Sequence, residues 1–153
     1  MSDLPDQQGL WPAYPNGLAD FRGHRWLGTA VRTWKRWLWD LIDDSDFRDA
    51  AGEYFAVGED QAILLPMLEM CGARAKHIPE ALMIYTRSSP HRVCYTRDAE
   101  SRGNSRYIVG LPPYSKLAER PTSEEHVRAL VAERRRIRQA VAVPGESGAA
   151  VGV

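Results

Sequence analysis

Cysteine is scarce, charge of one sign is not in excess, and long apolar runs do not occur. The 153-residue chain carries two cysteines, Cys71 and Cys94, in unrelated contexts and without CxxC spacing. A disulfide framework or a structural zinc site is therefore not expected. Lys+Arg and Asp+Glu balance at 20 each, which removes the electrostatic case for nucleic acid or an anionic membrane as partner. No stretch approaches the ~18–20 apolar residues that cross a bilayer. The opening Met1-Ser2-Asp3-Leu4-Pro5-Asp6 lacks both parts of a signal peptide. The sequence thus reads as a soluble, cytoplasmic protein with no transmembrane segment. Gly-x-Ser-x-Gly elbows, P-loops and GxGxxG are missing, and His24, His77, His91 and His126 form neither HxH nor HExxH.

What is present is a globular composition, 44% hydrophobic, of a length that suits one compact domain. Tryptophan is the outlier. Four of the five lie between Trp26 and Trp39, and indoles at that density either fill a core or line a concave surface.

Residues 1–22, punctuated by Pro5, Pro12, Pro15 and Gly17, read as irregular chain. Residues 30–42 read as a helix in which Val31, Trp34, Leu38, Leu41 and Ile42 form one apolar stripe. On that spacing Trp34 faces the core, whereas Trp37 and Trp39 point away from the stripe. Five aspartates then fall between residues 40 and 49. They lack the glycine and terminal glutamate of an EF-hand, so a solvated loop is expected. Glu59-Asp60 opens a buried helix that ends at Gly72, with Pro66 predicted to kink or restart it. Residues 75–79 and 81–86 read as short extended segments. Residues 88–121 read as mostly irregular, with a further extended piece at Tyr107-Ile108-Val109. Thr122-Ser-Glu-Glu125 is a capping-box signature before a last helix over about 123–141. Its apolar side is Val127, Leu130, Val131 and Ile137, and Arg134, Arg135, Arg136 and Arg138 form a solvated basic end. A small-residue tail from Pro144 is expected to be flexible.

The carboxylate pair Glu59 and Asp60 is the leading chemical candidate. Acids at a helix start are stabilised as anions by the dipole and free amides. The pair is then a helix cap or, facing a cleft, a general base for an attacking hydroxyl. Cys71 reads as core.

The local strings go further. Val31-Arg32-Thr33-Trp34-Lys35-Arg36-Trp37-Leu38, followed by Asp49-x-x-Gly52-x-Tyr54-Phe55, resembles a stretch of bacterial and viral family-2 glycosyltransferases. So do Asp60-x-Ala62-x-x-x-Pro66-Met67-Leu68-Glu69-Met70-x-Gly72, Ile78-Pro79-Glu80-x-Leu82-x-x-Tyr85-x-Arg87 and Pro112-Pro113-Tyr114-x-x-Leu117. The likeness spans roughly residues 20–120 in consistent order. Ala30 and Thr86 stand where the family tends to have histidine and asparagine.

The resemblance implies an α/β protein, the acceptor-side half of an A-type, Rossmann-like fold. Its helices would pack on a small mixed sheet, and the nucleotide-binding half is absent. Together with the local reading, it divides the chain into an irregular segment 1–22, an acceptor-side domain 23–121, a helix 122–143 and the tail 144–153. It implies inverting transfer of a sugar from a nucleotide-sugar to a carbohydrate acceptor, with Asp60 as base and Glu59 beside it. Acceptor contacts would come from Trp37, Trp39, Tyr85 and Arg87. A divalent metal, Mn or Mg, is implied, with His91 as a ligand; the family's Asp-x-Asp site is not found upstream. A separate donor-binding polypeptide or a homo-oligomer would complete the assembly, and an exposed sheet edge would favour self-association. The alternative is a noncatalytic carbohydrate-binding or assembly module that stacks sugars on Trp26, Trp34, Trp37 and Trp39.

Overall fold

The computed structural model describes residues 13–28, 31–80, 82–83 and 96–141. Its elements are helical: α1 (Arg36–Trp39), a 3-10 turn (Asp44–Phe47), α2 (Glu59–Cys71), a second 3-10 turn (Gly72–Arg74), α3 (Asp98–Gly110) and α4 (Glu124–Ala140). The expected helices-on-sheet α/β architecture is not what forms. Among the described residues no strand or sheet occurs, and the one β-type pairing is an antiparallel bridge between Arg48 and Tyr54.

The fold is organised around α2. Its sequence is apolar almost all round, so the helix is buried rather than laid on a surface. Leu64, Met67 and Met70 pack with Leu38, Leu41 and Ile42. Ala62 and Leu65 pack with Phe21, Phe55 and Ile108. The helix enters from Gly58, whose φ of 86° suits a residue without Cβ, and it runs through Pro66 without interruption.

Two segments depart from their periodicity. The helix expected over 30–42 shrinks to the single turn of α1, because Lys35 is extended and the following amides of Leu41 and Ile42 bond three residues back, to Leu38 and Trp39. Leu38, Leu41 and Ile42 reach the core this way, while Val31 and Trp34 stay outside, Trp34 being 40% exposed. Conversely, Tyr107-Ile108-Val109 lies in the last turn of α3 instead of an extended piece. Residues 104 and 108 share a helix face. Ile108 is buried against α2 while Asn104 Nδ2 donates to the Val57 carbonyl at 2.9 Å. That tertiary anchorage overrides the β preference of three residues. Residues 75–80 carry no assigned element apart from a bend; residue 81, residues 84–86 and the tail 144–153 lie outside the described residues.

Beyond α3 the chain is tied down by backbone and charge. The Leu117 amide donates to the Met70 carbonyl at 3.1 Å, and Arg74 donates to the carbonyls of Leu117 and Ala118 at 2.6 Å each. Buried Glu69 accepts from Arg22 at 3.0 Å and from the Tyr114 amide at 2.9 Å, and Arg22 also reaches the Ile108 carbonyl.

The last helix corrects two readings together. Arg134 and Arg138 are withdrawn from solvent and, with the still exposed Arg135, reach into the acidic turn, whose Asp43 and Asp46 are buried; Arg136 stays solvated. Asp46 Oδ2 accepts from Arg134 Nε at 2.7 Å and from the Tyr114 hydroxyl at 2.6 Å, and Arg138 Nε lies 3.2 Å from Oδ1. Asp43 Oδ2 accepts from Arg135 at 2.8 Å, while its Oδ1 takes the Ser45 amide and hydroxyl. The loop is anionic because a cationic helix covers it. Ser123 caps α4 by accepting from the His126 amide at 3.2 Å.

Candidate functional site

The carboxylate pair sits at the head of α2, and the two acids have different surroundings. Glu59 is exposed and lines a shallow cleft of about 170 Å³ whose other walls are Trp39, Phe47, Tyr54, Phe55 and Ile63. Asp60 is one-third exposed at its side chain. Its Oδ1 accepts from the Gln61 amide at 2.8 Å and its Oδ2 from Arg32 at 3.2 Å. The same Arg32 nitrogen, Nη1, also donates to the Gly28 carbonyl at 2.9 Å. Asp60 is thus neither sealed in the interior nor free; it is held in one orientation.

The cleft is aromatic because α1 and the acidic turn meet there. Trp39 stacks on Phe47 with centroids 5.0 Å apart, and Trp34 stacks on Trp39 at 6.5 Å and 16°. Tyr54 closes one side. Its hydroxyl donates to Asp44 at 2.8 Å and the Arg48 guanidinium lies 3.7 Å over its ring. The bond to Asp44, with desolvation adding to it, holds this phenol above its ordinary value. The same bond, after that from Arg48, keeps the Asp44 carboxyl below its ordinary value.

The string Asp49-x-x-Gly52-x-Tyr54-Phe55 has a local structural explanation. Asp49 Oδ1 accepts the amides of Ala51 and Glu53 at 2.9 Å each, Gly52 takes φ 83°, and the Phe55 amide returns to the Phe47 carbonyl at 3.1 Å. It is a tight turn that sets Tyr54 and Phe55 against the cleft.

The predicted acceptor tryptophans separate. Trp39 lines the Glu59 cleft, whereas Trp37 lines a second groove of about 450 Å³ shared with the start of α4. Two positions along a helix differ by roughly 200°, so the two indoles leave α1 on opposite sides. Trp34 and Trp39 form a stacked pair, but the four tryptophans do not make one continuous platform. Tyr85, Arg87 and His91 lie outside the described residues, as does Cys94. Half-buried Cys71 has its thiol pushed up by burial.

The described residues do not fit a divalent metal. No group of three or more His, Cys, Asp or Glu side chains converges among them, and the Asp44-x-Asp46 pair is spent on Arg48, Tyr54, Arg134 and Tyr114. No described helix is long and apolar enough to cross a membrane. Sequence reading missed Arg32 as a partner of Asp60, and it missed Phe47 and Tyr54 as cleft walls. The signal for Arg32 was weak: a single arginine 28 residues from its carboxylate. Compared with known proteins, the chain matches no family model, no curated protein and no solved structure.

Proposed function

We propose that the chain is the acceptor-side part of an inverting glycosyltransferase, and that an acceptor sugar lies in the cleft between Trp39 and Glu59. One observation carries this reading: an aromatic wall and the Glu59 carboxylate share a cleft at the head of a buried helix, with Asp60 next to Glu59 in the chain but off the cleft lining. Sugar rings present apolar C–H faces to indoles and hydroxyls to carboxylates, and the cleft offers both. Glu59 binds acceptor hydroxyls, and Asp60, oriented by Arg32, takes the proton. In that step the acceptor oxygen loses its proton to Asp60 and bonds to the anomeric carbon. The bond from that carbon to the diphosphate breaks, releasing the nucleoside diphosphate. The donor falls to a separate donor-binding polypeptide.

A second reading is favoured by the engagement of both Asp60 oxygens, which is what a structural cap would show: a noncatalytic carbohydrate-binding module using the Trp34–Trp39 stack. Titration of neutral oligosaccharides against the indole N–H signals tests what the two share. Saturable shifts at Trp39, lost in Trp39→Ala, are expected; silence at Trp39 for every sugar refutes both. Nucleotide-sugar turnover with and without Mn²⁺ separates them. Asp60→Asn lowers turnover by about 10²–10⁴-fold if Asp60 is the base, while equal turnover removes it from the mechanism.

A further inference from the structure

We infer that the second groove is a subsite for an acidic sugar unit, a pyranose carrying a carboxylate. The inference names the acceptor class and rests on the acceptor-side reading for its place in a transferase; the binding itself does not.

The groove at about 450 Å³ falls within the roughly 300–1,000 Å³ typical of small-molecule sites. Trp37 forms one side, and Pro121 and Val127 supply further apolar surface. The lining also includes Arg120 and Arg128, whose side chains make no hydrogen bond or ion pair among the described residues. That distinguishes them from Arg134, Arg135 and Arg138, all committed to the acidic turn. Of the two acids on the lining, Asp40 already accepts from Arg36 at 3.1 Å, so Glu124 alone opposes the two guanidiniums. The groove therefore keeps an excess positive charge beside a flat indole. A bare anion would satisfy the arginines and leave Trp37 unused; a neutral sugar would do the reverse. An acidic pyranose uses both, with its carboxylate on the guanidiniums and its ring against Trp37.

The test titrates trigalacturonate, its fully methyl-esterified form and inorganic phosphate against the full chain, following the indole N–H signals of Trp37 and Trp39. Arg120→Gln and Arg128→Gln are suitable variants because neither side chain bonds to another described residue. The acid should shift Trp37 and bind more tightly than the ester. Each substitution should weaken it about tenfold, the loss of one charge-assisted hydrogen bond, and added salt should weaken it further. Equal binding of acid and ester, unaffected arginine variants, or a silent Trp37 overturns the inference. So does phosphate binding as tightly as the acid. The ester reports separately on the cleft: its shift at Trp39 survives when only the groove inference fails, and vanishes when the acceptor reading fails.

Discussion

Replacing Asp46 by asparagine should be among the most damaging isosteric changes in this chain. The Asp46 side chain is 2% exposed, and its two oxygens face Arg134, itself 4% exposed, Arg138 and the Tyr114 hydroxyl. Asparagine keeps the shape and removes the charge, so a buried guanidinium is left facing a neutral amide. Breaking a buried pair from one side costs about 3–5 kcal/mol, a large part of the ~5–15 kcal/mol by which a domain is stable. Asp44→Asn is the matched control. It breaks the Arg48 pair two residues away, but Asp44 is 60% exposed, and such pairs contribute roughly 0–1 kcal/mol. Urea melts at pH 7 followed by tryptophan fluorescence measure both. The midpoint should drop sharply for Asp46→Asn and barely for Asp44→Asn, with unchanged m-values. The double variant Asp46→Leu with Arg134→Met should recover part of the loss, because the principal stranded charge is gone. Equal stability of the two single variants would falsify the view that α4 is held by buried charge.

Acidification should weaken the same clasp. Burial raises the Asp43 carboxyl, but the Ser45 hydroxyl and amide and Arg135 outweigh it, leaving the group below its ordinary value. A depressed folded value gives stability that is complete above the unfolded pKa of about 3.9 and lost as pH falls through the folded one. The stability gap between wild type and Asp43→Asn should therefore narrow from pH 5 to pH 2, and a constant gap contradicts this. Tyr114 works in the opposite direction. Burial, and then the Asp46 charge, push its phenol far above the usual range. Its contribution is complete below about pH 10, the unfolded value, and is lost as pH rises toward the folded one. Ultraviolet titration should find one tyrosine that ionises only on unfolding, and Tyr114→Phe should abolish that step. Gly58→Ala should cost about 1–2 kcal/mol from its positive φ alone, since the new Cβ would meet Asn104 and Ile108 at ordinary distances; thermal melts check it. Leu65→Ala, at 1% exposure beside Phe21 and Phe55, should cost about 2–5 kcal/mol by the same measurement.

The sequence alone determined the elements whose signals are local. Gly58, the acids after it, the apolar run and Gly72 announce α2, and the Thr122–Glu125 signature with the 3.6-residue pattern announces α4, although the residue that caps it is Ser123. The pairing of Glu59 and Asp60 at a helix start was equally legible, because capping depends on neighbours along the chain. Tertiary structure decided what depends on partners far away in sequence. Tyr107-Ile108-Val109 became helical because Ile108 and Asn104 dock on α2 and Val57. Trp34 went to the surface because the helix expected around it is only one turn. The acidic turn and the arginine run each read as solvated when taken singly, yet Asp43, Asp46 and Arg134 are buried where the two meet across about 90 residues of chain. Helix geometry alone sends Trp37 and Trp39 to opposite sides, but only folding could supply the two clefts they line and set Arg32 on Asp60. Periodicity reports which face of an element is apolar; it does not report which distant charge or ring will meet that face.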